Sequence, residues 1–241
     1  MRRLFFQGSI LLFIAGSFAA AQDVSEFDGF EDEIQAKVTA VHVADPLEPF
    51  NRCMFWVNDK LYFYALKPIA RGYGKITPEP ARECVGNFFD NLQFPLRVVN
   101  NLLQCKWGGA GTETKRFAVN TTVGVLGLFD PAANKWNWTP ADEDFGQTFA
   151  HYGLGPGFAL YLPLFGPGNL RDAMGKIPAY FVDPLTYVDP WYARVGAKGL
   201  DTVNTTSLNL GMYEALKKET MDPYRFFQDA YQQNRLKKIE E

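Results

Sequence analysis

Histidine and cysteine are scarce in this 241-residue chain, which holds two and three of them. His42 and His151 stand far apart, so a histidine-based acid–base pair or metal cage has little to draw on. The nucleophile elbow G-x-S-x-G, the zinc helix H-E-x-x-H and a phosphate-cradling glycine loop are all missing. Gly155-Pro156-Gly157 and Gly166-Pro167-Gly168 form turns instead, because proline removes the amide that a phosphate would need. A basic excess is lacking too: 24 Lys and Arg face 27 Asp and Glu, a net charge of −3. That argues against nucleic acid, which calls for a basic patch or stripe. Beyond the first residues no run of 18 apolar side chains occurs, so no later transmembrane helix is expected. Repeats and low-complexity tracts are also missing. These absences point to a chain that is not an enzyme and needs neither cofactor nor metal.

Aromatic side chains are plentiful, at 15% of the chain with 21 Phe. Residues 1–21 read as a cleaved signal peptide: Arg2 and Arg3, an apolar stretch from Leu4 to Phe18, then Ala19-Ala20-Ala21. The Arg2-Arg3 pair also resembles a twin-arginine signal, though an ordinary basic start explains it more simply. Cleavage would remove Arg2 and Arg3 and leave 22 basic residues against 27 acidic ones. In an oxidising compartment Cys53, Cys84 and Cys105 allow at most one internal bridge. Cys84 with Cys105 is one option; three buried, unpaired thiols are the other.

The rest of the chain reads as helical. Residues 22–44 form an acidic, flexible leader. Pro49 then starts an aromatic helix, Phe50 to Tyr64, expected to end before Pro68. No face of it is purely polar, the mark of a helix buried or set in lipid. Pro78 and Pro80 introduce a second helix with Ala81, Val85, Phe88, Phe89 and Leu92 on one stripe. Pro95 opens a third, with Leu96, Val99, Leu102 and Leu103 inward. Gly108-Gly109-Ala110-Gly111 is expected to break the chain ahead of a helix from Thr112 to Val123. Gly124 to Phe129 is a short apolar, glycine-punctuated hairpin, re-entrant or buried. Thr139-Pro140-Ala141-Asp142 reads as a helix start leading to Phe145, Thr148, Phe149 and Tyr152. There Asp142, Glu143 and Asp144 suit the first turn and His151 the last. Asn169 caps another helix, and Asp183-Pro184, Asp189-Pro190 and Asp222-Pro223 repeat that device. Residues 232–241 are a polar tail.

Several of these segments, taken in order, resemble the MlaA (VacJ) family. They are Asp45-Pro46-Leu47-Glu48-Pro49-Phe50-Asn51-Arg52, Pro80-Ala81-Arg82 with Asn87-Phe88, and Asn91-Leu92 with Pro95 and Val99-Asn100. Arg116-Phe117 with Asn120-Thr121 follows, then Phe145-Gly146-Gln147-Thr148 with His151-Tyr152-Gly153, Leu162-Pro163, Arg171-Asp172 and Asp222-Pro223-Tyr224. Together they span about Asp45 to Tyr231, and residues 45–231 are taken as one domain of that kind. The resemblance implies a mainly α, single ring-like helical domain with interfacial amphipathic helices and a short apolar hairpin. It implies passive, retrograde phospholipid traffic from the outer membrane of Gram-negative bacteria to a periplasmic carrier of the MlaC type, preserving lipid asymmetry. Trimeric porins are the further partner it implies.

Elementary energetics agree. Moving a two-chain lipid with about 15 methylenes per chain into water costs roughly 24 kcal/mol at ~0.8 per methylene. A passive protein therefore needs a continuous apolar and polar track. Phe50, Met54, Phe55, Trp56, Tyr62, Val125, Leu126, Leu128 and Phe129 are the candidate lipid or membrane contacts. One feature departs from the family: Ala21-Gln22 stands where its members carry an acylated cysteine. Attachment through the chain's own apolar belt, a peripheral or periplasmic relative, and a misassigned start codon stay open. The rival functions are a periplasmic lipid hydrolase using the Asp142–His151 region and an adaptor that binds porin without moving lipid.

Overall fold

The computed structural model describes residues 43–240. The expected signal peptide at 1–21, and the leader at 22–44 except its last two residues, lie outside the described residues. Helix α1 (Glu48–Leu61) has Pro49 in its first turn, where a missing N–H costs nothing. It does not stop before Pro68. A π turn at Tyr62–Leu66 shifts the register by one residue, and α2 (Lys67–Ile76) begins with Pro68 in its first turn. Next come α3 (Glu79–Leu92), α4 (Phe94–Leu103), α5 (Trp107–Thr122) and the short α6 (Pro131–Trp136). The chain closes with α7 (Phe145–His151), α8 (Leu170–Val182), a 3-10 turn (Pro184–Tyr187), α9 (Trp191–Leu208), α10 (Met212–Glu219) and α11 (Pro223–Glu240).

Four expectations change on contact with this structure. The glycine run does not break the chain, since α5 already starts at Trp107. Gly109 has a packing reason: a Cβ there would lie 1.9 Å from Asn101 Oδ1 on the neighbouring α4. Helix α4 turns Arg97, Asn100 and Asn101 inward with Leu96, while Leu102 and Leu103 face out. Thr139 caps nothing; Asp144 caps α7 instead by accepting from the Gln147 amide. The polar tail from residue 232 is not simply a solvated helix end, for residues 232–240 continue α11 and bury Gln232 and Arg235. Asn169 and Asp183 cap as expected, accepting from the amides of Asp172 and Leu185.

The helices pack in a closed circuit. Helix α9 lies on α3, α3 on α4, α4 on α7, α7 on α8, and α8 returns to α9 through the 3-10 turn. Helix α2 packs along α9, α5 along α4, and α11 against α7. A small aromatic core sits on the α1 side, where Tyr62, Tyr213 and Phe227 are buried and Phe55, Phe63 and Leu66 pack around them. The Tyr213 and Phe227 rings stack with centroids 5.4 Å apart.

Candidate functional site

Buried side chains are mostly polar, and many large apolar side chains stand on the exterior. Among the described residues, 22 polar or charged side chains are buried against 13 hydrophobic ones, while 32 large hydrophobic side chains are exposed. Five asparagines (Asn51, Asn100, Asn101, Asn169 and Asn204) have no exposed surface at all. A water-soluble domain of this size sorts its residues the other way.

Most of the buried polar side chains are bound into local networks, as burial demands, although a few atoms such as Asn101 Oδ1 and Gln228 Oε1 have no hydrogen-bond partner. The Asp45-to-Arg52 motif supplies the first. Asn51 Nδ2 donates to Asp45 Oδ1 (2.7 Å) and to the Ala159 carbonyl (3.0 Å), and its Oδ1 accepts from the Tyr161 amide (2.8 Å). Arg52 reaches Glu48 at 2.8 Å and Asp222 at 2.6 Å, stitching α1 to the start of α11. Two turns further along α1, Asn58 brackets the Leu162–Leu164 turn by donating to the Leu162 carbonyl and accepting from the Leu164 amide. Asp59 accepts from Tyr213 (2.8 Å) and pairs with Lys217 (2.5 Å).

A second network joins α3 to α6. Arg97 Nε meets Glu113 at 2.6 Å and its Nη1 meets Asp90 at 2.7 Å. Arg116 pairs with Asp130 at 3.1 Å and donates to the Trp138 carbonyl. Glu113 also accepts from the Ala141 amide, fixing the segment between α6 and α7. A third network ties α7, α8 and α11 through Arg235, which reaches Asp144 at 2.6 Å and Asp172 at 3.0 Å. Burial alone would raise the Asp144 carboxyl, but the Arg235 guanidinium beside it holds it well below the usual carboxylate range. Arg235 and Asp172 are both more than nine-tenths buried, whereas the Asp144 side chain is 41% exposed, so the loss of Arg235 beside Asp172 is the change that approaches the about 3–5 kcal/mol of a broken buried pair.

The apolar exterior includes the Gly124–Phe129 segment. It is a tight loop after α5 and is not buried, with Val125, Leu126, Leu128 and Phe129 all exposed and Leu126 at 66%. Its amides fold back on the helix: Leu126 donates to the Thr121 carbonyl and Gly127 to that of Asn120, both at 2.8 Å. Val125, Leu126 and Gly127 all carry positive φ, of 53°, 57° and 86°. For a β-branched valine that is an outlying conformation. A Cβ on Gly127 would lie 2.5 Å from Asn91 Cβ, so the loop presses on α3 through glycine.

The candidate contacts divide. Phe50 and Trp56 are 47% and 59% exposed on α1 and join the loop on the surface; Met54 is half-buried. Phe55 and Tyr62 belong elsewhere. Tyr62 is 4% exposed within the aromatic core, and Phe55 packs edge-on to Tyr161 at 5.7 Å, so both rings join the core instead of the surface. The physical reason is rotational, since Phe55 and Tyr62 share the side of α1 that carries Asn51, Asn58 and Asp59 inward.

A second apolar surface escaped the sequence reading. Ile177, Phe181, Tyr187, Trp191, Tyr192 and Val195 stand exposed where α8 and α9 meet. The clue was present as i, i+4 apolar spacing on both sides of Asp183-Pro184 and Asp189-Pro190, which marked turns and drew attention from the rings beside them.

The chemistry proposed for the rival hydrolase is dispersed. Asp142 pairs with Lys238 at 2.5 Å and Glu143 with Lys106 at 2.6 Å, while Asp144 is held by Arg235. His151 sits exposed at the end of α7 with its ring edge-on to Tyr152. All three cysteines are unpaired, and Cys53 and Cys105 are exposed, so neither the Cys84–Cys105 bridge nor a set of buried thiols is present. Among the described residues no helix is long and apolar enough to cross a membrane.

Comparison with known proteins gives a consistent result. The family described as MlaA lipoprotein matches residues 43–238. An Escherichia coli K12 protein, "Intermembrane phospholipid transport system lipoprotein MlaA", is 34% identical over 191 residues, covering 78% of this chain and 75% of its own length. An uncharacterized protein of Rickettsia bellii is 35% identical over 194 residues, covering 80% and 76%. A solved structure described as "Structural basis for maintenance of bacterial outer membrane lipid asymmetry" superposes with a TM-score of 0.68. It is 31% identical and covers 81% of this chain and 99% of its own.

Proposed function

This chain belongs to the MlaA family, and from that premise we propose that it moves phospholipid passively out of the outer membrane and hands it to a soluble periplasmic carrier of the MlaC type. Phospholipid transport in the service of outer-membrane lipid asymmetry is the family's role, as its named relatives and solved neighbour state. The observation that carries the finer reading is the inverted sorting of side chains. Exposed Phe, Trp, Leu and Ile side chains are each worth about 1.5–3 kcal/mol when fully buried. Twenty-two of them, with ten exposed Val, Met and Tyr side chains beside them, make sense if acyl chains, not water, are their surroundings.

The polar interior is the complement of that surface. Inside a bilayer every backbone and side-chain polar group must find a partner within the protein. The networks of Asn51, Arg97, Glu113, Arg116 and Arg235 supply such partners. A lipid headgroup then has a polar route and its tails an apolar one, which avoids the roughly 24 kcal/mol penalty of full exposure at ~0.8 per methylene. The chain lies on the periplasmic face of the outer membrane after export and removal of residues 1–21. Trimeric porins are its neighbours there, and no catalytic step is involved.

The test is a paired substitution of Leu126 and Phe129 by Asp in a strain that depends on this chain. Both side chains are exposed, so the fold should persist. Phospholipid accumulating in the outer leaflet, with detergent sensitivity, is the expected result. Unchanged asymmetry with a folded, membrane-bound product would overturn the loop's role. Hydrolysis of phospholipid by the purified chain, lost on His151→Ala, would overturn the non-enzymatic reading.

A further inference from the structure

The exposed side of α2 carries two unlike flanks. A helix turns about 100° per residue. Lys67, Arg71 and Lys75 therefore form one stripe, and Ile69 and Ile76 fall roughly 100–180° away from it. Ala70 is buried between the two flanks, and Ile76 is 85% exposed. Along the cationic flank runs an open cleft of about 480 Å³, lined by Phe63, Lys67, Pro68, Arg71, Gly72 and Lys75. A Cβ on Gly72 would meet nothing within 4 Å, so that wall of the cleft is bare.

The charges in the cleft are only partly compensated. Lys67 pairs with Glu214, and Lys217, which also approaches the Phe63 ring at 5.1 Å, pairs with Asp59. Arg71 and Lys75 have no carboxylate partner among the described residues. Two unpaired cations beside an apolar wall are notable in a chain whose net charge is −3.

We propose that this cleft binds the phosphate of a glycerophospholipid headgroup. This rests on the phospholipid-transport reading and assigns a site to it. Arg71 presents a planar fork to two phosphate oxygens, and Lys75 adds a point charge one turn on. The glycerol backbone lies along Phe63 and Pro68, and Ile69 and Ile76 turn toward the acyl region. Helix α2 thus marks the boundary between headgroups and tails, as interfacial basic-and-apolar helices do.

Binding of dihexanoyl-phosphatidylglycerol to the purified full chain in nonionic detergent, followed by calorimetric titration, tests the site. A cation at a lipid surface is worth about fivefold in affinity, so Arg71→Gln with Lys75→Gln should weaken binding about 25-fold. Arg71→Lys with Lys75→Arg should stay within about threefold, which separates lost charge from lost fold. Lys115→Gln with Lys135→Gln, two basic residues on other helices, should change nothing; an equal loss there would reduce the effect to net charge and overturn the site. Inorganic phosphate displacing the lipid at equal concentration would assign the cleft to the free anion. Dihexanoylglycerol binding as tightly as the phospholipid would remove phosphate from the interaction. Either result overturns the proposal. A double Gln variant that binds like the parent overturns this site alone, whereas a parent that retains no phospholipid overturns the transport reading beneath it.

Discussion

Arg235 on α11 grips Asp144, 91 residues earlier, through both terminal nitrogens: Nη1 to Oδ2 at 2.6 Å and Nη2 to Oδ1 at 2.8 Å. Asp144 caps α7 with the same carboxylate, and Arg235 Nη2 also reaches Asp172 near the start of α8. One guanidinium thus holds together three helices that are distant in sequence. Arg235→Met should destabilise the fold by about 3–5 kcal/mol, the cost of stranding the buried Asp172 carboxylate. Denaturant unfolding in detergent measures it. Arg235→Met with Asp144→Asn should cost clearly less than the sum of the single changes; strict additivity would refute the coupling.

Asp201 on α9 gives a prediction in pH. Burial, with the negative charge of Asp90 adding to it, pushes its carboxyl up to about 7 from an ordinary 3.8. The folded state therefore holds a proton that the unfolded state releases, and this group's contribution to stability falls as pH rises from about 4 to 7. Asp201→Asn removes that term. Its gain in melting temperature should grow between pH 4 and 7 and level off above. A gain that is flat with pH, or largest in acid, would contradict the assignment.

Asp144 titrates in the opposite sense. Its carboxyl lies below the usual range, so its stabilisation is present above the unfolded value near 3.8 and is lost as pH falls through the folded one. Melting curves taken between pH 5 and 2 should fall more steeply for the parent than for Asp144→Asn. Parallel curves would show that the pair with Arg235 contributes nothing.

The loop after α5 depends on Gly127. Alanine there meets Asn91 and must hold φ near 86°, a combined cost of about 1–3 kcal/mol. Leu126→Asn should instead be tolerated or mildly stabilising, because asparagine accepts positive φ better than leucine. Thermal unfolding of the two variants checks the contrast.

Thiol chemistry offers a simple check on the surface. Cys53 and Cys105 are exposed and Cys84 is partly covered. A membrane-impermeant maleimide should label the first two quickly in detergent and Cys84 more slowly. Slower labelling of Cys53 after reconstitution into vesicles would place that side of α1 against lipid.

Much of the secondary structure was legible because its signals are local. Pro49, Pro80, Pro95 and Pro223 lie at helix starts, and Asn169 and Asp183 cap as their types suggest. The misreadings came where a distant partner overrode the local rule. Gly109 belongs inside a helix because Asn101 lies against it, and residues 232–240 fold because Arg235 has Asp144 to meet. Pro68 failed to end a helix because a π turn absorbed it.

By itself the sequence determined a helical, exported-looking chain rich in aromatic residues, and its ordered motifs identified the family. Only the tertiary structure decided which of those residues faced outward. Trp56 and Tyr62 are comparable bulky rings on one continuous helical run, yet one is 59% exposed and the other 4%. Periodicity tells which side chains share a face, but the inward face is usually chosen by asking which is more apolar. That criterion fails when the surroundings are apolar too, and here the inward face was selected by hydrogen-bond satisfaction among Asn51, Asn58 and Asp59, whose partners, Asp45 aside, lie more than a hundred residues away.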